Sequence, residues 1–209
     1  MSDNLDTAGA TAMLRAVAQA IIGQTDVLTD ADLAIGDGDH GVGMRRGFEA
    51  TLEALQAAPD TIDGAFKAAG TAIMSQTGGA AGAIFGTLFR SGSKAFAGRD
   101  TMDGPSFAAF LETGLDAVLK RGGVVEGQKT IIDALAPAAR AARGAGDGLA
   151  DVTAAAAQGA LDGVEATKAM IATTGKARSL GERSIGHPDP GAISVSLILV
   201  AMRDFVAAA

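Results

Sequence analysis

The sequence predicts an all-α fold: a single domain of about eight antiparallel amphipathic helices. Three observations predict it. Apolar residues recur at helical spacing along most of the 209 residues. β-branched residues are scattered and form no alternating runs, so no strand is expected. Gly and Asp clusters cut the pattern into segments short enough, at roughly 15–20 residues each, to pack as antiparallel neighbours.

The elements follow in order. A first helix is expected over residues 8–22. Met44, Phe48, Leu52 and Leu55 mark the next at i, i+4, i+8 and i+11, and Ile62, Phe66, Ala69 and Ile73 mark a third. Residues 81–97 read as a fourth, and Phe107, Phe110 or Leu111, Gly114 and Val118 as a fifth. Further helices are expected over 130–144, 151–173 and 190–206. The breaks are DTID at 60–63, MDGP at 102–105 and HPDP at 187–190, where Asp189 suits an N-cap and Pro190 the first helical position. Segment 151–173 carries Ala and Gly with few large side chains, the composition of a helix packed very close to its neighbours. Residues 144–150, RGAGDGL, have linker composition, but helical patterns continue on both sides, so residues 1–209 read as one domain.

Composition excludes several functions. The chain has no Cys, which removes disulfides, thiolate zinc sites and cysteine nucleophiles. Aromatic residues make up 4%, with no Trp or Tyr, and the net charge is −7. Both argue against a nucleic-acid surface. A compact anion such as a nucleotide is still compatible, given glycine N–H groups and metal ions. MSDNLDTAGA lacks the basic and apolar regions of a signal peptide. No apolar run is expected to approach the ~18 residues of a membrane span, so the expected location is the cytoplasm.

Three glycine-rich loops carry the chemistry. The first, LAIGDGDHGVG, groups Asp37, Asp39 and His40 with Asp32 just upstream. On a glycine-bent loop these acids can face one point and hold a hard divalent cation. An EF-hand is ruled out, because counting from Asp37 puts Phe48 where the bidentate Glu belongs. The second, SQTGGAAG at 75–82, frees backbone N–H groups ahead of a helix, as a phosphate site requires. Taken alone it fits a close helix–helix turn equally well, and it is not a Walker A loop. The third, GKARSLGERSIGHPDPGA at 175–192, is a long polar loop with Lys176, Arg178, Arg183 and His187. In an up-and-down bundle these loops can meet at one end.

IGDGDHG at 35–41, GGAAGAIFGT at 78–87, GQKTIID at 127–133 and LGERSIGHPDPGA at 180–192 together resemble the L subunit of dihydroxyacetone kinases. The likeness runs essentially end to end and extends to the nucleotide domain of single-chain dihydroxyacetone kinases. It implies an eight-helix barrel plugged at one end by ADP or ATP, with two Mg²⁺ held by Asp32, Asp37 and Asp39. It places the nucleotide against His40, Gly41, Val42, Gly43, Gly79, Ala80, Ala81, Gly122, Ile131, Lys176, Asp189, Pro190 and Gly191. It further implies a separate K-type subunit that holds the keto substrate, and in some members a phosphohistidine M-type subunit that recharges the nucleotide. The alternatives are an ATP-dependent ketotetrose (erythrulose-type) kinase and a non-catalytic nucleotide-binding regulator. The sequence departs from the family pattern at Ala81, where Ser is frequent, and at Gly43, where Asn is common. Lys176 stands where Arg is expected, exchanging a planar fork for a point charge.

Overall fold

A computed structural model describes residues 4–209, so Met1 to Asp3, part of the stretch read above for a signal peptide, lie outside it. Nine α-helices are found among the described residues: α1 Thr7–Gly23, α2 Thr25–Ile35, α3 His40–Ala54, α4 Ile62–Gln76, α5 Gly79–Gly92, α6 Gly104–Gly122, α7 Ile132–Gly144, α8 Leu149–Lys168 and α9 Pro190–Ala208. The amphipathic spacings produce the buried faces: Ile62, Phe66, Ala69 and Ile73 on α4, and Phe107, Phe110, Leu111, Gly114 and Val118 on α6.

The helices close into a ring. Each of α3 to α9 packs on its chain neighbour, α9 returns to α1, and α1 packs on α3, giving the expected eight-helix barrel. Helix α2 lies outside the ring against α3 and α9. It is the helix that periodicity missed. Only Leu28, Asp32 and Ile35 of TDVLTDADLAI are buried, so its apolar stripe is too narrow to register. The expectation of no strand needs a small correction, because Leu5–Asp6 pairs antiparallel with Thr101–Met102. The expected 81–97 helix becomes a 3₁₀ turn at Ser93–Phe96, and the 151–173 helix ends at Lys168. Helix α9 also overturns the expectation about apolar length. Its 19 residues, at mean hydropathy 1.7, could cross a membrane by length and composition, yet it packs here against α8 and α1.

Chain direction alternates around the ring, so α3, α5, α7 and α9 all start at one end, where α4, α6 and α8 finish. The opposite end is filled by phenylalanines. The ring centroid of Phe66 lies 4.7 Å from that of Phe96 and 4.9 Å from that of Phe110. Side-chain caps fix three of the helix starts there: Asp6 accepts from Gly9 N–H, Thr61 from Gly64, and Asp103 and Ser106 form a capping box. Helix α8 packs as closely as its composition foretells. A Cβ on Gly159 would lie 2.8 Å from the Pro137 carbonyl oxygen, and one on Gly163 2.6 Å from Ala134 Cα, both on α7. The three glycine-rich loops lie at the other end.

Candidate functional site

Two of the helix starts at that end are open. Helices α3 and α5 begin without a side-chain cap. Gly78 (φ 80°) and Gly79 (φ 56°) take left-handed conformations that open the turn into α5. Helix geometry then leaves the first-turn N–H groups of Gly79, Ala80 and Ala81 without intrahelical acceptors. With four helix N-termini at this end, the partial positive charges favour an anion.

A cavity of about 370 Å³ opens there, within the size range of small-molecule sites. All three loops named from sequence line it. Asp32, Asp39, His40 and Gly43 come from the first, Gly79, Ala80 and Ala81 from the second, and Lys176, Asp189, Pro190 and Gly191 from the third, joined by Ile131. Asp37 is not in the lining but is bound to Lys176, which is. Three further expected residues do not line the cavity. Gly41 packs against α2, where a Cβ would collide with Thr25 and Thr29; Val42 is exposed; Gly122 closes α6 beside Ile84, which is itself in the wall.

Asp32, Asp37 and Asp39 each bring a carboxylate oxygen within 4.8 Å of the others. Asp32 is buried at the end of α2 and also accepts the His40 backbone N–H at 3.2 Å. Asp37 and Asp39 are exposed. An all-oxygen, all-carboxylate set matches a hard divalent cation, and no softer ligand joins it. The cluster already attracts a cation of the chain's own. Lys176 Nζ donates to Asp37 Oδ1 and Oδ2 at 2.6 and 2.5 Å and to Asp39 Oδ2 at 3.1 Å. That hydrogen bond holds the Asp37 carboxyl below the ordinary carboxylate range, and Asp37 and Asp39 raise the Lys176 ammonium above its own.

His40 is turned away from the acids, its Nε2 lying 2.8 Å from the Ser194 hydroxyl. Burial lowers its pKa, outweighing the nearby Asp32 and Asp39 charges, so the ring is neutral at pH 7. Asp189 accepts the Ala192 N–H at 2.8 Å and caps α9, as the HPDP reading expects. Burial pushes its carboxyl up to about 7 despite that bond.

Sequence reasoning missed Lys129, Arg46 and Thr77. Lys129 is 2% exposed, has a left-handed backbone (φ 61°) and lines the cavity. Its ammonium donates to the carbonyls of Thr167 and His187 at 2.5 Å and of Met170 at 3.3 Å. It thereby ties the C-terminal end of α8 to the turn before α9. Asp133 supports the same loop by accepting from the Gly127 and Thr130 N–H groups. The motif GQKTIID was the available signal, but only Ile131 was taken from it. Nothing local marks a lysine for a left-handed backbone. Arg46 donates to the Thr77 carbonyl, bracing the turn into α5.

Known proteins resemble this chain in sequence and in fold. The family profile described as DAK2 domain matches residues 34–204. The ADP-binding subunit of PEP-dependent dihydroxyacetone kinase 1 from Listeria innocua is 41% identical over 177 residues, covering 84% of this chain and 85% of its own. The L-erythrulose 1-kinase of Mycolicibacterium smegmatis is 36% identical over 177 residues, but the match covers only 31% of that enzyme. The crystal structure of the C. freundii dihydroxyacetone kinase with AMP-PNP and Mg²⁺ superposes with a TM-score of 0.71 at 22% identity. It covers 93% of this chain and 33% of that one, and it establishes the fold.

Proposed function

The chain belongs to the DAK2 domain family, and from that premise we propose that it is the nucleotide-binding subunit of a dihydroxyacetone kinase. One observation carries the reading: a carboxylate triad, an uncapped helix start and a basic strap converge on one cavity of nucleotide size. Residues 1–209 act as a single nucleotide-binding unit, in the cytoplasm.

Asp32, Asp37 and Asp39 would hold two Mg²⁺. When bound, these ions neutralise charge on the phosphoryl oxygens. The remaining work falls to the chain. The N–H groups of Gly79, Ala80 and Ala81 bind phosphate oxygens, and Lys176 supplies a mobile positive charge beside them. Neutral His40 orders the start of α3, where Gly43 lines the cavity while Gly41 seats α3 on α2 and Val42 faces outward. Ile131, Asp189, Pro190 and Gly191 supply further wall for the nucleotide, with Gly122 behind Ile84. The keto substrate would be presented by a separate K-type subunit. The nucleotide would be retained as ADP and recharged by a phosphohistidine M-type subunit.

The direct test combines the chain with a K-type subunit, Mg²⁺, ATP and dihydroxyacetone. Dihydroxyacetone phosphate is expected as product, and Asp37→Asn is expected to abolish its formation while far-UV circular dichroism is unchanged. Preference for erythrulose would favour the ketotetrose reading, which the M. smegmatis relative supports. Tight ADP binding with no transfer to either sugar would favour a non-catalytic regulator.

A further inference from the structure

The strap that carries Lys176 is held to the molecule in an unusual way. Residues 175–183 wall one side of the cavity with Gly175, Lys176 and Ala177. Among the described residues, the hydrogen bonds and ion pairs joining this strap to the rest of the chain all belong to Lys176, and all end on Asp37 or Asp39. The other bonds of the strap are local. Ser179 donates to the Lys176 carbonyl, Ser184 to that of Gly181, and Ile185 N–H to that of Glu182. Firm attachment resumes just outside it, where Thr173 N–H donates to the Gln128 carbonyl and Ala172 N–H to the Ser184 hydroxyl.

The strap also has backbone joints. Gly175 (φ 64°) and Gly181 (φ 55°) are left-handed, and a Cβ on either would meet nothing within 4 Å. These glycines are therefore present for conformation, not for close packing. The strap packs lightly on α2, but its one polar tie to the rest of the described chain is Lys176, so losing that tie loosens it between the two joints.

What Lys176 holds are two of the three candidate metal ligands. It engages both oxygens of Asp37, and so competes with a metal ion for that carboxylate. Resting on the metal reading above, we propose that Lys176 is an internal counter-cation and a positioning residue. Without metal it bridges Asp37 and Asp39 and draws the 175–183 strap over the cavity; Mg²⁺ displaces it and frees the strap. The released ammonium, carried on the same strap, is then available to a phosphate. Lys176 consequently acts in opposite directions on the two ligands, opposing metal alone and favouring nucleotide. A lysine suits this exchange better than an arginine, because a point charge gives up a carboxylate more readily than a bidentate fork.

The test uses Mg²⁺ alone on the full-length, nucleotide-free protein. Calorimetry compares wild type with Lys176→Met, and with Arg183→Met, which removes the same charge from the same strap without touching either acid. Hydrogen exchange of 174–184 is followed with and without Mg²⁺. Because an exposed pair of this kind is weak, Lys176→Met should bind Mg²⁺ roughly three- to tenfold more tightly, with Arg183→Met close to wild type. Mg²⁺ should speed exchange in the wild-type strap, whereas the Lys176→Met strap should exchange fast throughout. Equal Mg²⁺ affinity in wild type and Lys176→Met, equal tightening in both variants, or a wild-type strap indifferent to Mg²⁺ would overturn the proposal and leave the metal site standing. Absence of saturable Mg²⁺ binding in every variant would overturn the metal reading itself, and this proposal with it.

Discussion

Replacing Gly163 by Ala tests whether the packing of α8 on α7 sets the shape of the nucleotide end. A Cβ there would lie 2.6 Å from Ala134 Cα and 3.0 Å from Asp133 C, and nearer still to the Asp133 carbonyl oxygen. All three atoms are backbone, so no rotamer change relieves the clash, and α7 must retreat by about 1 Å to restore ordinary contact. Overpacking of this kind costs about 1–3 kcal/mol, toward the upper end where only backbone can yield, while Ala gains about 1 kcal/mol over Gly inside a helix. The net is a loss of about 2 kcal/mol, or a fall of about 4–8 °C in Tm for a chain of this size. The first turn of α7 also carries Asp133, which braces the 127–131 loop into the cavity. The same shift should therefore weaken ADP binding by roughly tenfold. Gly144→Ala is the matched control, since its Cβ would meet nothing within 4 Å, and it should leave Tm equal or slightly raised. Thermal melts and ADP titrations of both variants decide the matter. A Gly163→Ala protein melting at or above wild type would refute the reasoning.

Lys129→Met should lower stability by about 3 kcal/mol, because it strips a charged donor from the buried Thr167 carbonyl and the part-buried His187 carbonyl, and urea denaturation should show an earlier midpoint. The pH dependence of stability carries the mark of Asp189. Below about pH 4 its carboxyl is protonated in folded and unfolded chains alike; between about 4 and 7 only the unfolded chain has released the proton. Rising pH through that window therefore reduces stability. His40, with its lowered pKa, slopes the other way, so the readout is the difference between wild type and Asp189→Asn, which keeps a capping oxygen for Ala192. Denaturant midpoints from pH 4 to 8 should show wild type losing ground to Asp189→Asn as pH rises, and parallel curves would contradict the assignment.

The ring helices were legible because each buries a stripe wide enough to repeat at i, i+3 and i+4, as Phe66, Ala69 and Ile73 do on α4. Helix α2 was not, since it buries one face of three residues and spends Asp32 on the site. The meeting of the three loops followed from alternating helix direction, and the cavity lining shows it. Lys129 stayed hidden for a different reason. Its partners are backbone carbonyls 38 to 58 residues away, and backbone acceptors leave no trace in a sequence. The Lys176 bridge spans 139 residues to Asp37 and is likewise visible only in three dimensions.

The central claim, a metal-dependent nucleotide site at the end of the ring where α3, α5, α7 and α9 begin, is tested most directly by titrating ADP into nucleotide-free protein. The titration is run with and without Mg²⁺, for wild type and Asp32→Asn. The account predicts one ADP per chain, bound tightly only when Mg²⁺ is present, with the Asp32→Asn protein weaker by roughly tenfold or more. ADP bound equally well without Mg²⁺ and equally by Asp32→Asn, or no ADP bound at all, would contradict it.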